Sequence, residues 1–497
     1  MKNPADNNKA HTGIWGLDDV LSGGLSRGSI FLLEGEPGSG KTTMALQFLL
    51  SGAAAGEKGL YITLSETEAE LRAGAKSHGW DLGKNIVVRE LIPADSLLAG
   101  DQHQTLLYAS DLELGETAQQ IFAAVEQSQP SRLVIDSLSE IRLLAQSSLR
   151  YRRQILTIKH HFARRNITVL MLDDLTSEAN DKTVHSIAHG VVQLQQIAPD
   201  YGAERRRMRI LKYRGTHYRG GYHDMTISTG GVNVFPRLVA AEHRTKFSRN
   251  PIPTGIRPFD ELLGGGIDAG SSTLVIGPAG TGKSLIAITF ALAAVKRGEK
   301  AALFIFDEEL GLLFDRMQGL GLDVEGGRER GELLIQQIDA AELSPGEFSH
   351  RVRKIVDEHA IKTVIIDSLN GYQAAMPAEN SLILHIHELL QYLNRQGAAT
   401  FLTMAQHGLV GHMATTIDIT YLADSVLLLR YFEAMGEVRR AMSCIKKRTG
   451  RHETTIREYH IGNGGLTVDA PLTGFQGVLN GVPHILGRNG AGVPEGA

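Results

Sequence analysis

Short apolar runs alternate with longer amphipathic stretches along most of this chain. Amphipathic stretches such as 42–56 and 68–78 predict helices. The apolar runs between such stretches predict strands at 29–34, 59–64, 132–135, 168–172, 272–276, 301–306, 363–366 and 399–404. Strands that alternate with helices require parallel crossovers. The pattern therefore predicts α/β domains, each a mostly parallel sheet between helices, with the ligand at the carboxyl ends of the strands.

The last third of each half has a different pattern. Shorter alternating runs at 208–212 and 443–447 predict antiparallel hairpins at the edge of each sheet. Residues 483–497 are rich in Gly and Pro and predict a flexible tail.

The two halves also repeat each other. Thr12 recurs as Thr254 and Asp18 as Asp260, both at an offset of 242 residues. A repeat of this length indicates a tandem duplication, and the polar, proline-containing stretch 242–253 marks the junction. The sequence thus predicts a first domain over 1–245, a second over 246–482 and a tail over 483–497.

Composition narrows the class of protein. A chain of 497 residues with 42% hydrophobic content suits two domains that each bury a full core. The net charge of -4 gives no electrostatic footprint for duplex nucleic acid. A single cysteine, Cys444, excludes an internal disulfide framework, and no apolar run reaches membrane-spanning length. These features predict a cytoplasmic protein that binds neither a membrane nor nucleic acid.

Candidate chemistry begins with two copies of the phosphate-binding P-loop pattern, at 35–42 and 277–284. In such loops backbone N–H groups surround phosphate oxygens, a lysine neutralises their charge, and a hydroxyl holds Mg²⁺. Two matches predict two nucleoside triphosphates per chain. The predicted nucleotide-binding residues are Gly38, Ser39, Gly40, Lys41, Thr42 and Thr43 in the first loop, and Gly280, Thr281, Gly282, Lys283, Ser284 and Leu285 in the second.

Each half also has an apolar strand that ends in an aspartate, Asp136 or Asp367. In P-loop enzymes a carboxylate at this place supports Mg²⁺ through water. The predicted magnesium residues are therefore Thr42 with Asp136, and Ser284 with Asp367. Taken alone, an apolar run ending in Asp is more often a strand that meets a turn.

The second predicted strand of each half ends in carboxylates, Glu66 in the first and Asp307 with Glu308 in the second. We expect them on the strand beside the P-loop strand, positioned to orient or deprotonate the nucleophile that attacks the γ-phosphate. The alternative is a helix start that simply favours acids.

A basic pair occurs near the end of each half, Lys212 with Arg214 and Lys446 with Arg448. Alternation along a strand puts both members on one face. The recurrence favours a charged finger that stabilises phosphoryl-transfer charge in a neighbouring subunit's site. The alternative is an exposed edge strand whose charges keep the protein soluble.

Two further groups have simpler explanations than a binding site. His385 with His387, and His407 with His412, lack a completing ligand, so core or surface histidines are favoured over a metal site. The run 205–207 with Arg209 is more typical of solvated arginines on a hairpin than of a nucleic-acid contact.

Together these motifs resemble the KaiC family, the circadian clock ATPases and their bacterial relatives, over residues 12–483. The resemblance rests on the segments 63–67, 135–137 and 212–216 in the first half, and 306–309, 366–368 and 446–450 in the second. It implies tandem RecA-like P-loop NTPase domains in a double-ring homohexamer, with ATP and Mg²⁺ at subunit interfaces. It also implies slow ATPase activity in the first ring and autokinase, autophosphatase and ATPase activity in the second.

The chain departs from the family pattern at several places. Ser65 replaces the first of two adjacent glutamates, which leaves the hydrolysis rate of the first domain open. The family's phosphorylated Ser-Thr pair falls on Thr420 and Tyr421, ahead of Asp424, so Thr420 is the candidate phosphoacceptor. The family's KaiA-binding extension is reduced, so KaiA binding is not expected. Binding of a KaiB-like regulator is left as an open alternative.

Two other functions fit the same RecA-like core. One is a DNA-associated motor or recombinase, which would need a basic channel and DNA-stimulated hydrolysis. The other is a scaffold in which nucleotides only hold the ring together.

Overall fold

The chain folds into two compact units, Met1–Arg237 and Leu238–Ala497. The computed structural model describes residues 8–91, 106–174, 183–198, 202–374, 379–406, 419–480 and 484–485. None of the described helices is both long enough and apolar enough to cross a bilayer.

Strands and helices alternate along most of the first unit. Its strands are β1 (Lys9–Ala10), β2 (Leu25–Ser26), β3 (Ile30–Gly35), β4 (Gly59–Thr63), β5 (Ile86–Glu90), β6 (Arg132–Asp136), β7 (Thr168–Asp174), β8 (Gly190–Ile197), β9 (Arg205–Tyr213), β10 (His223–Ser228) and β11 (Gly231–Phe235). Its helices are α1 (Leu17–Val20), α2 (Lys41–Ala54), α3 (Glu68–Ser77), α4 (Leu106–Ser128), α5 (Leu138–Ala145), α6 (Ser148–Ala163) and α7 (Thr183–Ile187).

The second unit repeats this series. Its strands are β12 (Pro251–Ile252), β13 (Ile267–Asp268), β14 (Ser272–Gly277), β15 (Ala301–Ile305), β16 (Leu333–Gln337), β17 (Thr363–Asp367), β18 (Ala399–Ala405), β19 (Ser425–Ala434), β20 (Glu437–Lys447), β21 (Arg457–Gly462), β22 (Gly465–Pro471), β23 (Phe475–Gln476) and β24 (His484–Ile485). Its helices are α8 (Arg257–Leu262), α9 (Lys283–Lys296), α10 (Leu310–Gly319), α11 (Val324–Glu329), α12 (Pro345–His359), α13 (Leu369–Ala374) and α14 (Glu379–Arg395).

Each unit contains one nine-stranded sheet. The strand order is β11-β10-β9-β8-β3-β7-β6-β4-β5 in the first and β16-β15-β17-β18-β14-β19-β20-β21-β22 in the second. The strands from β8 to β5 pair in parallel, while β9, β10 and β11 add antiparallel hairpins at one edge. The predicted α/β class and the edge hairpins are confirmed.

Both faces of each sheet are covered, which makes three layers. Phe31 and Leu33 of β3 pack with α2 on one face, whereas Ile30 and Leu32 pack with α4, α5 and α6 on the other. This alternation explains why β3 is apolar at every position from Ile30 to Leu33, since a strand buried on both faces has no polar side. The same two-sided core occurs around β14.

The duplication is visible in matched hydrogen bonds. Thr12 donates through its backbone N–H and its hydroxyl to Asp18 Oδ1, at 2.9 and 2.8 Å. Thr254 makes the same two bonds to Asp260 Oδ1, at 2.7 and 2.8 Å. The recurring Thr and Asp residues therefore fix the turn that enters each domain.

The segment after residue 237 packs on the second unit. Leu238 and Ala240 belong to a buried cluster of that unit. The Ala240 N–H donates to Glu388 Oε2 at 3.0 Å, and Thr245 donates to the carbonyl oxygen of Arg395. The polar stretch predicted as a junction is thus tethered at defined points.

The structure describes only part of the predicted tail and only some of the histidines that were weighed as metal ligands. Within the predicted tail, His484–Ile485 pair with Phe475–Gln476, and the other residues of 483–497 lie outside the described part of the chain. His407 and His412 lie outside it too. His385 is partly buried and bonded to Ser349 and Tyr372.

Candidate nucleotide-binding sites

The first P-loop connects the end of β3 to the start of α2. Gly38 and Gly40 have φ values of 81° and 99°, in the left-handed region that favours glycine. A Cβ atom at Gly40 would lie 2.6 Å from Ile227 Cδ1 of the edge hairpin. The loop therefore needs glycine at this position both for its backbone and for the space beside it, and α2 starts directly under the expected phosphates.

Lys41 is buried and bends back over the loop. Its Nζ donates to the carbonyl oxygens of Gly35 and Glu36, at 2.8 and 3.0 Å. It also forms an ion pair of 2.7 Å with Asp174 Oδ1. Lys41 is therefore held in place by the same loop in which it is predicted to bind phosphate.

Asp174 is a site residue that the sequence reasoning missed. It ends β7 and lies opposite Gly35 in the register of β3 and β7. The only signal in the sequence was the acidic end of the fourth predicted strand, which resembles an ordinary strand end.

The expected place of Glu66 was wrong in one respect. Its strand, β4, is not beside the P-loop strand β3, because β7 and β6 lie between them. The same holds for Asp307 and Glu308, whose strand β15 is separated from β14 by β17 and β18. Later strands of the chain insert at the sheet centre, and an apolar pattern does not encode that order.

Thr42 and Asp136, the predicted magnesium pair of the first site, lie together. The Tyr61 hydroxyl donates to Asp136 Oδ2 at 2.5 Å. Burial raises the pKa of the Asp136 carboxyl, while hydrogen bonds from Tyr61 and Thr42 and the charge of Lys41 oppose that rise. A buried carboxylate with a hydroxyl beside it matches the oxygen ligands that Mg²⁺ prefers.

Glu66 faces the same group of charges. Its backbone N–H donates to Thr63 Oγ1 at 2.9 Å, and Thr67 after it caps α3. Burial raises the pKa of the Glu66 carboxyl, and the negative charges of Asp136, Glu70 and Asp174 raise it further. A carboxylate with a raised pKa is a better proton acceptor than an ordinary one.

The second P-loop has the same backbone but different partners. Gly280 and Gly282 have φ values of 77° and 89°, and a Cβ atom at Gly282 would lie 2.5 Å from Ile461 Cδ1. Lys283 Nζ donates to the Pro278 carbonyl oxygen at 2.8 Å. Burial lowers the pKa of Lys283, and the charge of Asp367 opposes this.

The carboxylates of the second site are each engaged by a neighbour. Thr403 donates to Asp367, and Ser368 donates to Asp307. Glu308 forms an ion pair of 2.5 Å with Arg316. The counterpart of Asp174 is Ala405, which lies opposite Gly277 in the register of β14 and β18. The second P-loop therefore lacks the carboxylate that holds Lys41 in the first.

A cavity of about 390 Å³ lies beside the second P-loop. Leu320 and Ile461 give it apolar walls, and Arg316 and Arg440 give it charge. This volume lies within the range of about 300–1,000 Å³ that is typical of small-molecule sites. It could accommodate the nucleoside part of a bound nucleotide.

The two basic pairs do not contact the P-loop of their own domain. Lys212 Nζ donates to the carbonyl oxygens of His185 and Ala188, and Arg214 donates to that of Ser186. Burial lowers the pKa of Lys212, with the charges of Arg214 and Lys159 adding to the effect.

The second pair makes equivalent bonds. Lys446 Nζ donates to the carbonyl oxygens of Thr420 and Ala423, each at 2.8 Å, and Arg448 donates to that of Tyr421 at 2.6 Å. Each pair thus holds the segment that precedes the strand next to the P-loop strand.

Strand register places these pairs at the far end of the sheet. Lys212 lies opposite Val191 of β8, which pairs with Leu32 near the start of β3. The P-loop follows Gly35, roughly 10 Å further along that strand. Lys446 likewise lies opposite Val426, which pairs with Leu274 at the start of β14.

Two arginines of the first hairpin bond within the sheet. Arg207 donates to Gln195 and Arg209 to Gln193, at 2.9 and 2.8 Å. Both guanidinium groups also lie over the ring of Tyr222. These contacts agree with the interpretation of a hairpin surface.

The fold and the two loops define a class of protein: a P-loop nucleotide-binding protein with two tandem RecA-like domains. The family model of the KaiC ATPase matches residues 10–239 and again 252–473. The chain belongs to the KaiC family.

Curated relatives cover nearly the whole chain. The circadian clock oscillator protein KaiC of Parathermosynechococcus lividus is 29% identical over 96% of this chain and 88% of its own length. The protein of the same name from Acaryochloris marina is 28% identical over 97% of this chain and 92% of its own. The circadian clock protein KaiC3 of Synechocystis sp. is 29% identical over 96% and 94%.

Proposed function

We propose that this protein is an ATPase whose two sites per chain are each completed by a neighbouring subunit of a ring. The observation that carries the proposal is the position of the basic pairs. Lys212 with Arg214, and Lys446 with Arg448, lie at the opposite end of the sheet from the P-loop of their own domain. A second copy of the chain can bring such a pair to the γ-phosphate, as arginine fingers do in other P-loop enzymes.

In the first site each group then has a distinct task. Lys41 and the loop N–H groups bind the β- and γ-phosphates, and Glu66 accepts a proton from the attacking water. The neighbour's basic pair stabilises the charge that develops on the transferred phosphoryl group. Mg²⁺, held by Thr42 and Asp136, would neutralise phosphate charge. In the second site Lys283, Ser284, Asp367, Asp307 and Glu308 take the matching parts.

Assembly should depend on nucleotide, because a ligand that binds only the assembled state stabilises that state. We expect gel filtration to give a hexamer in ATP with Mg²⁺ and a smaller species without nucleotide. The Lys41→Ala, Lys283→Ala double variant is the matched control and should stay small in both buffers. A wild-type chain that elutes as a monomer under both conditions contradicts the model of sites at subunit interfaces.

The second domain is the proposed place of an autokinase activity. Thr420 lies in the segment that Lys446 and Arg448 hold, so the acceptor and the basic pair would reach a neighbour's nucleotide together. Tyr421 is 51% exposed, but its longer side chain does not suit the same in-line transfer.

Phosphopeptide mass spectrometry after incubation with ATP and Mg²⁺ tests this activity. We expect phosphate on Thr420 in the wild type and none in an Asp307→Asn, Glu308→Gln variant. A wild-type chain that remains unmodified at Thr420 and its neighbours refutes the kinase part and leaves the ATPase part standing.

The relatives are named as circadian clock proteins, which supports a cytoplasmic signalling or timing switch with a KaiB-like regulator as a candidate partner. A DNA-associated ATPase is not favoured, because Arg207 and Arg209 of the first hairpin are bonded to Gln195 and Gln193 and lie over the ring of Tyr222.

A further inference from the structure

A second cavity, of about 580 Å³, lies in the second unit away from its P-loop. It is bounded by the segment 244–249, by the C-terminal end of α14 and by Gly270 and Asp424, which precede β14 and β19. The cavity therefore lies at the amino-terminal end of the parallel strands, opposite the nucleotide loop. Its volume is again within the range of about 300–1,000 Å³ that small-molecule sites occupy.

Four cationic side chains line this cavity: Arg244, Lys246, Arg249 and Arg395. None of the four makes a side-chain hydrogen bond or ion pair with another residue in the described part of the chain. The one carboxylate, Asp424, is already engaged. Its Oδ2 accepts bonds from the Ser272 N–H and hydroxyl and from the Asn394 side-chain amide, at 2.9, 3.0 and 3.2 Å. The cavity thus has four positive charges in its lining against the single negative charge of Asp424.

The cations are held in place by an anchor. The Phe247 ring packs so closely on Gly270 and Gly397 that a Cβ atom at either glycine would lie 2.4 or 2.6 Å from it. Thr245 donates to the Arg395 carbonyl oxygen through its N–H and its hydroxyl, at 3.1 and 3.0 Å. A loose basic linker would have no such attachment, so the convergence of the four cations is a property of the fold.

We propose that this basic cavity binds a small phosphate-bearing anion. The site goes beyond the proposed ATPase function, since it uses no residue of either P-loop. Guanidinium groups match phosphate oxygens in geometry and charge, and several on one concave surface form a typical phosphate site. The wall residue Asp424 lies 3.6 Å from Arg448, so an occupied cavity would adjoin the segment that contains Thr420.

Equilibrium dialysis with radiolabelled inorganic phosphate tests the proposal on the full-length protein, with both P-loops filled by a non-hydrolysable ATP analogue and Mg²⁺. We expect one inorganic phosphate to bind per chain, in addition to the nucleotides in the P-loops. An Arg244→Gln, Lys246→Gln, Arg249→Gln variant should bind it at least about tenfold more weakly, because three cation–phosphate contacts are lost. Phe247→Ala should weaken binding as well, although it removes no charge.

The matched control is Lys296→Gln, Lys300→Gln, Lys354→Gln, which removes the same net charge from exposed lysines elsewhere in the unit. It should bind phosphate as the wild type does. Equal loss in the control and the cavity variant, or no loss in either, overturns the proposal. So does binding of a single-stranded oligonucleotide through these residues without phosphate binding. A failure of ATP hydrolysis or ring assembly leaves this result unaffected, since neither is measured.

Discussion

Mixing two inactive variants should restore ATP hydrolysis in the first domain. One variant carries Lys41→Ala, and the other carries Lys212→Ala with Arg214→Ala. Both also carry Asp307→Asn with Glu308→Gln, so that the second domain still binds nucleotide for assembly but contributes no turnover. At equal amounts the mixture should reach about one quarter of the rate of the parent protein, which has the same second-domain substitutions and an unchanged first domain. The reason is that, in a ring of head-to-tail interfaces, one site in four joins an intact P-loop to an intact basic pair.

The physical basis is the distance between the two parts within one chain. The carbonyl groups of His185 and Ala188 hold Lys212 at the amino-terminal end of the sheet, whereas Lys41 lies at its carboxyl end. Each variant alone should lose about 10³-fold or more in rate, the scale on which arginine fingers act. A mixture that stays as inactive as its components, although the two variants co-assemble, argues that the basic pair acts within its own chain or not at all.

Glu66→Gln should reduce hydrolysis in the first domain by about 10²–10⁴-fold, the range for loss of a general base. Nucleotide binding should persist, since Lys41 and the loop are unchanged. The rate is measured as phosphate release in a Lys283→Ala background. Glu70→Gln is the matched control, because Glu70 completes the capping box of α3 and acts on Glu66 only by raising its pKa, so this variant should keep its turnover.

The pH dependence of this rate follows from the Glu66 carboxyl. Burial and its negative neighbours raise its pKa, and a general base works only when deprotonated. Hydrolysis should therefore rise with pH through a pKa above the ordinary value for glutamate, and the variant should lack that step. Turnover that is equal in the wild type and Glu66→Gln supports the scaffold interpretation, in which nucleotide only holds the ring together.

The sequence predicts the repeated parts of the structure well. The P-loops, the strands that bear Asp136 and Asp367, and the edge hairpins follow from patterns that depend on neighbouring residues alone. Apolar runs and glycine spacing reflect local backbone requirements, and each of these features has a second copy in the other half.

Long-range order is less accessible to this reasoning. The separation of β4 from β3 by two later strands is a choice of topology that no local pattern encodes. Asp174 was missed for the same reason, since its importance comes from a register opposite Gly35. Ile227 and Ile461, which pack on the last loop glycines, are ordinary strand residues until the hairpins fold over the loops.

The ion pair between Lys41 and Asp174 gives the first site a built-in competitor for phosphate. A nucleotide that enters the first site must displace Asp174 from Lys41. In the second site Ala405 takes the place of Asp174, so Lys283 has no such carboxylate to release. We therefore expect the second site to fill at lower ATP concentrations and the first only at higher ones. A single chain that arose by copying one domain could in this way respond to two separate ranges of cellular energy supply.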